Sequence, residues 1–182
     1  MKLLVASDIH GSLSATRHVV EAFEKEQADY LVFLGDAMYH GPRNPLPDAY
    51  EPAEVAKLLN TLKDKVIAVR GNCDSEVDQM LLDFPITADY QNMPLTKTRL
   101  FATHGHIFEP ATIPASVKRG DIFAFGHIHL PILEMNESGI LILNPGSVAL
   151  PKESHPPTYA LISEDRVEIK TFDGKVYRAY NF

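Results

Sequence analysis

Ser7-Asp8-Ile9-His10-Gly11 follows the apolar run Leu3-Leu4-Val5-Ala6. A short apolar run closed by turn residues reads as a buried strand. Asp8 and His10 therefore fall where the strand ends, two residues apart, so both can project to one side of the departing chain. A carboxylate and an imidazole in that position form a natural pair of metal ligands. Gly11 permits the tight exit that brings backbone close to an ion or anion.

Asp-x-His alone is a short and unspecific motif. Repetition gives it meaning. Leu31-Val32-Phe33-Leu34 runs into Gly35-Asp36, and Val66-Ile67-Ala68-Val69 into Arg70-Gly71-Asn72. Leu100-Phe101-Ala102 runs into Thr103-His104, and Ile122-Phe123-Ala124-Phe125 into Gly126-His127-Ile128-His129. Packing does not explain five buried strands that all end in Asp, Asn or His. Buried polar groups need partners, so the crowded strand ends point to something bound there.

The 182 residues suit one domain spanning 1–182, and 45% of them are hydrophobic against 23% charged, as in ordinary globular chains. The net charge of −7 argues against duplex nucleic acid and anionic membranes as partners, since both need a basic face. A phosphate substrate stays open, because bound cations invert the local charge. One cysteine, Cys73, rules out an internal disulfide and fits a reducing compartment. Asp8 and His10 interrupt the N-terminal apolar run too early for a signal peptide, and no apolar segment approaches the ~20 residues of a membrane span. The expected location is the cytoplasm.

The spacing predicts strands over about 2–7, 30–34 and 65–70, with helices over 13–26 and 52–62 between them. That is a βαβαβ half with parallel strands. A short helix over 75–82 is followed by β-runs near 86–91, 99–103, 122–126, 131–136, 140–143, 158–163, 166–172 and 175–180. Asn136-Glu137-Ser138-Gly139 and Asp173-Gly174 read as hairpin turns. The Pro- and Gly-rich loop 37–50 is long enough to be functional. Exposed C-terminal strands carrying Tyr177, Tyr180 and Phe182 could pair with another copy in a dimer or tetramer.

The candidate ligands are Asp8, His10, Asp36, Asn72, His104, His127 and His129. Seven exceed what one tetrahedral ion takes and suit two ions with a shared carboxylate, for which Asp36 is the choice. A mixed nitrogen and oxygen set without thiolate points to Mn²⁺, iron, Co²⁺, Ni²⁺ or Zn²⁺, and away from Ca²⁺ and Mg²⁺. His104 sits nearer its strand end than His106, which is left to back the ligands or touch substrate.

In order, Asp8-x-His10, Gly35-Asp36, Gly71-Asn72, His104 and Gly126-His127-x-His129 resemble the motif set of the calcineurin-like metallophosphoesterases. The stretches 40–44, 70–74, 103–106 and 144–147 are similar to the small bacterial phosphodiesterases of the YfcE type. The resemblance implies an α/β fold, a four-layer α/β/β/α sandwich of two mixed sheets, with a dinuclear site at the strand ends. It implies Mn²⁺ as a common activating ion and hydrolysis of small phosphodiesters by a hydroxide bridging the ions. A phosphomonoesterase is the nearest alternative, and a non-catalytic scaffold on the same fold is another, disfavoured by the complete ligand set.

One position departs from the pattern. The wider family places a histidine after the Asn to protonate the leaving group, where this chain has Cys73. With Cys73 or His106 as the remaining catalytic candidates, leaving groups that need little protonation are expected to be favoured. In the loop, His40 and Arg43 are the candidate substrate contacts together with Asn72, Arg43 offering its planar fork to a phosphate oxygen. Asn144-Pro145-Gly146-Ser147 is expected to support the site from behind.

Overall fold

The computed structural model describes residues 1–182. Three helices and eleven strands follow one another as β1 (Leu3–Ala6), α1 (Leu13–Lys25), β2 (Tyr30–Phe33), α2 (Pro52–Asn60), β3 (Val66–Ala68), α3 (Glu76–Leu81), β4 (Tyr90–Pro94), β5 (Arg99–Thr103), β6 (Ile122–Ala124), β7 (Pro131–Met135), β8 (Leu141–Pro145), β9 (Thr158–Ile162), β10 (Arg166–Thr171) and β11 (Val176–Asn181). No helix is long and apolar enough to cross a membrane.

The strands form two mixed sheets. One runs β11-β10-β9-β1-β2-β3, parallel from β1 to β3 and antiparallel elsewhere. The other runs β4-β5-β6-β8-β7, parallel across β5, β6 and β8. Alternation along each strand divides the apolar residues between two faces. Leu3 and Val5 face the second sheet, where they join Leu100, Ala102, Ile122, Ala124, Leu141 and Leu143. Leu4 and Ala6 face the helices and join Val19, Phe23, Val55 and Leu59.

Helix α1 begins where Ser12 caps it, its hydroxyl accepting from the Ala15 amide at 3.2 Å. Its buried residues Leu13, Ala15, Thr16, Val19, Ala22 and Phe23 share the helical spacing read from sequence. Pro52 opens α2, as its fixed φ and missing N–H suit a first turn. The helical layer lies on the six-stranded sheet. Over the outer face of the five-stranded sheet the fourth layer is not a helix. Phe108, Ile113 and Val117, from the irregular segment 104–121, cover Phe101, Phe123 and Ile142 there. Pro110 and Pro114 deny that segment a continuous helical ladder.

The expected strand over 86–91 is also displaced. Strand β4 starts at Tyr90, and Phe84 and Ile86 instead plug the helix-side core. Gln79 satisfies the backbone there, donating to the Leu82 and Phe84 carbonyls and accepting from the Ile86 amide at 2.9 Å. Pro85 removes one ladder donor.

At the far end of α1, Glu26 accepts from the Tyr159 hydroxyl at 2.9 Å and pairs with Lys170 of β10. Burial raises the Glu26 pKa, but the Lys170 and Tyr159 hydrogen bonds and the Lys170 charge outweigh it and hold it below the ordinary glutamate value of 4.5. A depressed carboxylate stabilises the fold above its unfolded pKa, and that contribution fades as pH falls through the folded value. Glu26→Gln is therefore expected to be less stable than the parent at pH 7 by about 2 kcal/mol. The gap should shrink once pH drops below 4.5. Urea denaturation of both proteins at pH 7 and pH 3 checks this; an equal gap at both would refute the assignment.

Candidate metal centre

Strands β1, β2 and β3 run parallel, as do β5 and β6, and their carboxyl ends meet at one rim of the sandwich. Ligands bind beyond such strand ends in α/β sheets. The ladder between β1 and β2 continues past both strands. The amides of Asp8, His10 and Gly11 donate to the carbonyls of Gly35, Asp36 and Ala37 at 3.1, 2.9 and 2.9 Å. The two ligand loops are thereby zipped together. A similar bond, Gly126 N–H to the His104 carbonyl at 2.7 Å, ties the loops after β5 and β6.

Asp8, His10, Asp36, His127 and His129 all have positive φ, between 51° and 67°. Left-handed backbone is costly for residues with a Cβ, on the order of 1–3 kcal/mol each, and clusters at functional sites. Close backbone approach holds these turns in place. A Cβ on Gly71 would meet Asp36 Oδ1 at 2.1 Å and the Asp36 nitrogen at 2.3 Å, and one on Gly126 would meet Ser7 Oγ at 1.9 Å.

Five of the seven candidate ligands, Asp8, His10, Asp36, His104 and His129, are drawn into one buried cluster with short contacts, and Asn72 reaches it from the exposed side. His10 Nε2 and His129 Nε2 are 3.2 Å apart, and Asp8 Oδ1 lies 3.7 and 3.3 Å from them. Asp36 Oδ2 lies 3.6 Å from His10 Nε2 and 3.4 Å from His104 Nε2, between the two histidine groups. Asn72 Oδ1 lies 3.0 Å from His104 Nε2. The seventh, His127, is half-buried, with its ring centroid 5.1 Å from that of His104. Its amide donates to Asp8 Oδ2 at 3.1 Å.

The chemistry of this donor set fits a cation. His10, His104 and His129 each place Nδ1 on a backbone carbonyl: Tyr39 at 2.9 Å, Leu34 at 2.7 Å and Leu150 at 2.7 Å. An Nδ1–H donated to a carbonyl leaves the lone pair on Nε2, the arrangement found behind metal-bound imidazoles. Nε2 of His10 and of His129 then converge as acceptors on Asp8 Oδ1, a buried oxygen with no hydrogen-bond partner. Acceptors packed this closely repel unless a positive charge lies between them.

The charges of the cluster shift one another, and the carboxylates draw positive charge onto His104, a proton that a bound cation would displace. Burial raises the Asp8 pKa, but His129, His104 and His10 more than offset it and keep the carboxylate ionised. Burial likewise raises Asp36, and His104 pulls it back below the usual range. Burial lowers His104, yet the Asp36 hydrogen bond and charge carry it up to about 9. Burial and the nearby His104 push His127 and His106 down, toward the neutral form that binds metals.

The remaining predicted residues divide. Gly41, Pro42, Arg43, Asn44, Asn72, Cys73, His127, Ile128, His129 and Lys152 line an open cleft of about 440 Å³ that reaches Asp36. Arg43 and Cys73 thus line the cleft. Burial and the Asp36 charge push the Cys73 thiol up to about 12. His40 lies outside the cleft wall, its ring packed edge-on against Tyr39 and Tyr50. His106 is exposed beside His104, with ring centroids 5.3 Å apart, and is also outside that wall. Ser147 supports the site from behind, donating to the Asp8 carbonyl at 2.9 Å, and Asn144 donates to the Gly126 carbonyl at 2.8 Å.

Two residues carry roles the sequence did not suggest. Asp74 accepts from the amides of Asp36, Ala37 and Gly71 at 2.8, 2.8 and 2.7 Å, joining two ligand loops through one carboxylate. Burial and the Asp36 charge raise its pKa to about 6 against those three bonds. Lys152 enters the cleft from a loop whose amide donates to the His129 carbonyl at 3.3 Å.

The sequence model of the calcineurin-like phosphoesterase superfamily domain matches residues 1–166. The chain belongs to this superfamily. It is 54% identical over 169 residues to the phosphodiesterase YfcE of Escherichia coli K12, covering 93% of the chain and 91% of that protein. The solved structure of the Escherichia coli phosphoesterase YfcE superposes with a TM-score of 0.96 at 50% identity, over 100% of this chain and 99% of that one. The vacuolar protein sorting 29 structure from Cryptosporidium parvum matches with a TM-score of 0.66 at 17% identity, over 100% and 98% of the two chains, a likeness of fold alone. Membership in a metallophosphoesterase superfamily implies divalent metal ions, and the strand-end cluster is the candidate place for them.

Proposed function

We propose that the chain is a metal-dependent phosphodiesterase of small substrates, with a dinuclear centre at the strand ends. The observation that carries this reading is Asp36 Oδ2, which faces His10 at 3.6 Å and His104 at 3.4 Å and so stands between two half-sites. Asp8, His10, His129 and Asp36 would hold one ion; Asp36, Asn72, His104 and His127 the other. Mn²⁺ suits the mixed nitrogen and oxygen donors. A single free cysteine supports a reducing, cytoplasmic setting.

Ions bound there supply Lewis acidity, acidifying water and neutralising phosphoryl charge. The protein's part is to fix the ligands. The carbonyls behind His10, His104 and His129 orient the rings, and Asp74 locks the two loops that present Asp36 and Asn72. The cleft at Arg43 and Cys73 is wide enough for both arms of a diester. The relative at 54% identity carries the name phosphodiesterase, which favours the diester over the monoester. The complete ligand set weighs against a scaffold without catalysis.

The test compares an aryl phosphodiester with the matching aryl phosphomonoester, using metal-stripped protein with and without added Mn²⁺. Strong Mn²⁺-dependent cleavage of the diester is expected. Preference for the monoester would replace this reading by a phosphatase, and no cleavage with metal bound would replace it by a scaffold.

The thiol at Cys73 gives a further prediction. An imidazole exchanges protons near neutral pH far better than a thiol does. Cys73→His is expected to raise turnover on alkyl leaving groups by about tenfold or more, with little gain on nitrophenolate. Rates on a graded series of leaving groups check it; a uniform change across the series would refute a role in protonation.

A further inference from the structure

Beyond the candidate ligands, the cleft wall consists of Gly41, Pro42, Arg43, Asn44, Cys73, Ile128 and Lys152. It carries two cations and no carboxylate, in a chain whose net charge is −7. Most charged side chains near a carboxylate pair with it, as Lys57, Lys63, Arg70, Arg99, Arg166 and Lys170 do. Arg43 and Lys152 make no ion pair, and neither side chain hydrogen-bonds to the protein.

Their loops are nonetheless held. Asn44 donates to the His40 carbonyl at 2.9 Å and closes the turn that carries Arg43. The Lys152 amide donates to the carbonyl of His129, itself anchored on Leu150 at 2.7 Å. The backbone at both cations is therefore held by the framework that places the candidate ligands, while their exposed side chains are left free for a ligand.

One phosphodiester group carries a single negative charge and would sit on the metal side of the cleft. A terminal phosphate carries about −1.5 to −2 at neutral pH and presents three acceptor oxygens. It matches two cations, one a planar fork and one a point charge, where a carboxylate would match one. The volume of about 440 Å³ leaves room for it beyond the reacting group. We propose that the preferred substrate is a phosphodiester bearing a second phosphoryl group, gripped by Arg43 and Lys152. This rests on the phosphodiesterase reading above.

The test uses three aryl diesters with the same nitrophenolate leaving group. The second arm is ethyl, 2-phosphoethyl or 2-trimethylammonioethyl. The Mn²⁺-loaded protein is expected to favour the phosphoethyl over the ethyl ester by roughly tenfold in kcat/KM, chiefly through KM, and to disfavour the ammonium ester. Lys152→Gln and Arg43→Gln should each bring the phosphoethyl-to-ethyl ratio toward one, whereas Lys175→Gln, on the exposed 173–175 turn, should leave it unchanged. A parental ratio near one, or a ratio that survives both cleft substitutions, would overturn the proposal. Calorimetric binding of the phosphoethyl ester to parent and Lys152→Gln separates the two readings. If the ethyl ester is not hydrolysed, the phosphodiesterase assignment fails, and equal affinities in this comparison defeat the second-phosphate grip on their own.

Discussion

Asp36→Asn is expected to lower Mn²⁺-dependent phosphodiester hydrolysis by roughly three orders of magnitude or more, while the protein stays folded. Asn is isosteric, so one side-chain oxygen can still accept from the Cys73 amide, which now donates to Asp36 Oδ1 at 2.8 Å. The other position becomes an NH₂ donor aimed at His10 and His104, where Oδ2 now stands 3.6 and 3.4 Å from their Nε2 atoms. Charge is lost at the carboxylate oxygen that stands between His10 and His104, and a donor replaces an acceptor. The buried Asp36–His104 ion pair is lost with the charge, so the metal-free variant should melt below the parent while remaining folded. Turnover, metal content and the melting midpoint of the stripped protein together check the prediction. Near-parental turnover would remove Asp36 from the centre.

Asp74→Ala should act by another route, on stability first. Its carboxylate receives three amides, from Asp36, Ala37 and Gly71, and all three residues are buried. A buried donor left without a partner costs about 1–3 kcal/mol. Allowing for water reaching part of the gap, the loss is about 4 kcal/mol, or a fall of roughly 10 °C in Tm for a chain of this size. Metal affinity should drop about 10–100-fold, as when the groups that orient ligands are removed. Asp74→Asn keeps one acceptor and should recover part of both. A Tm within ~1 °C of the parent would show that the three bonds carry no net weight.

The contrast between Asp36 and Asp74 shows what sequence can reveal. Asp36, like the other six candidate ligands, follows within a few residues of an apolar run, so local pattern exposes it: a buried strand ends near a residue that packing does not want. The parallel order of β1, β2 and β3 is legible for the same local reason, since helices fill the gaps between them. Asp74 sits two residues past the end of that grammar, and its partners Asp36 and Ala37 are 38 and 37 residues away. Lys152 reaches the cleft through a carbonyl on His129, a contact between separate strands' loops. The packing of His40 is equally hidden, because a ring in a polar loop carries no sign of the Tyr39 and Tyr50 faces it lies against. The order of the β-rich half, with β9 joining β1 and β8 joining β6, rests on long-range register that alternation does not encode.

The left-handed backbone at Asp8, His10, Asp36, His127 and His129 sets activity and robustness against each other. Glycine adopts such φ values without steric cost, so at each of these five positions it would relax the chain while deleting a ligand. Selection for heat resistance alone would drive all five toward glycine and yield a hardier, inert sandwich. Asp and His at these five positions run against the preference of their own backbone. Stabilising changes compatible with catalysis should therefore be sought away from this rim, in the sheet cores and the helical layer.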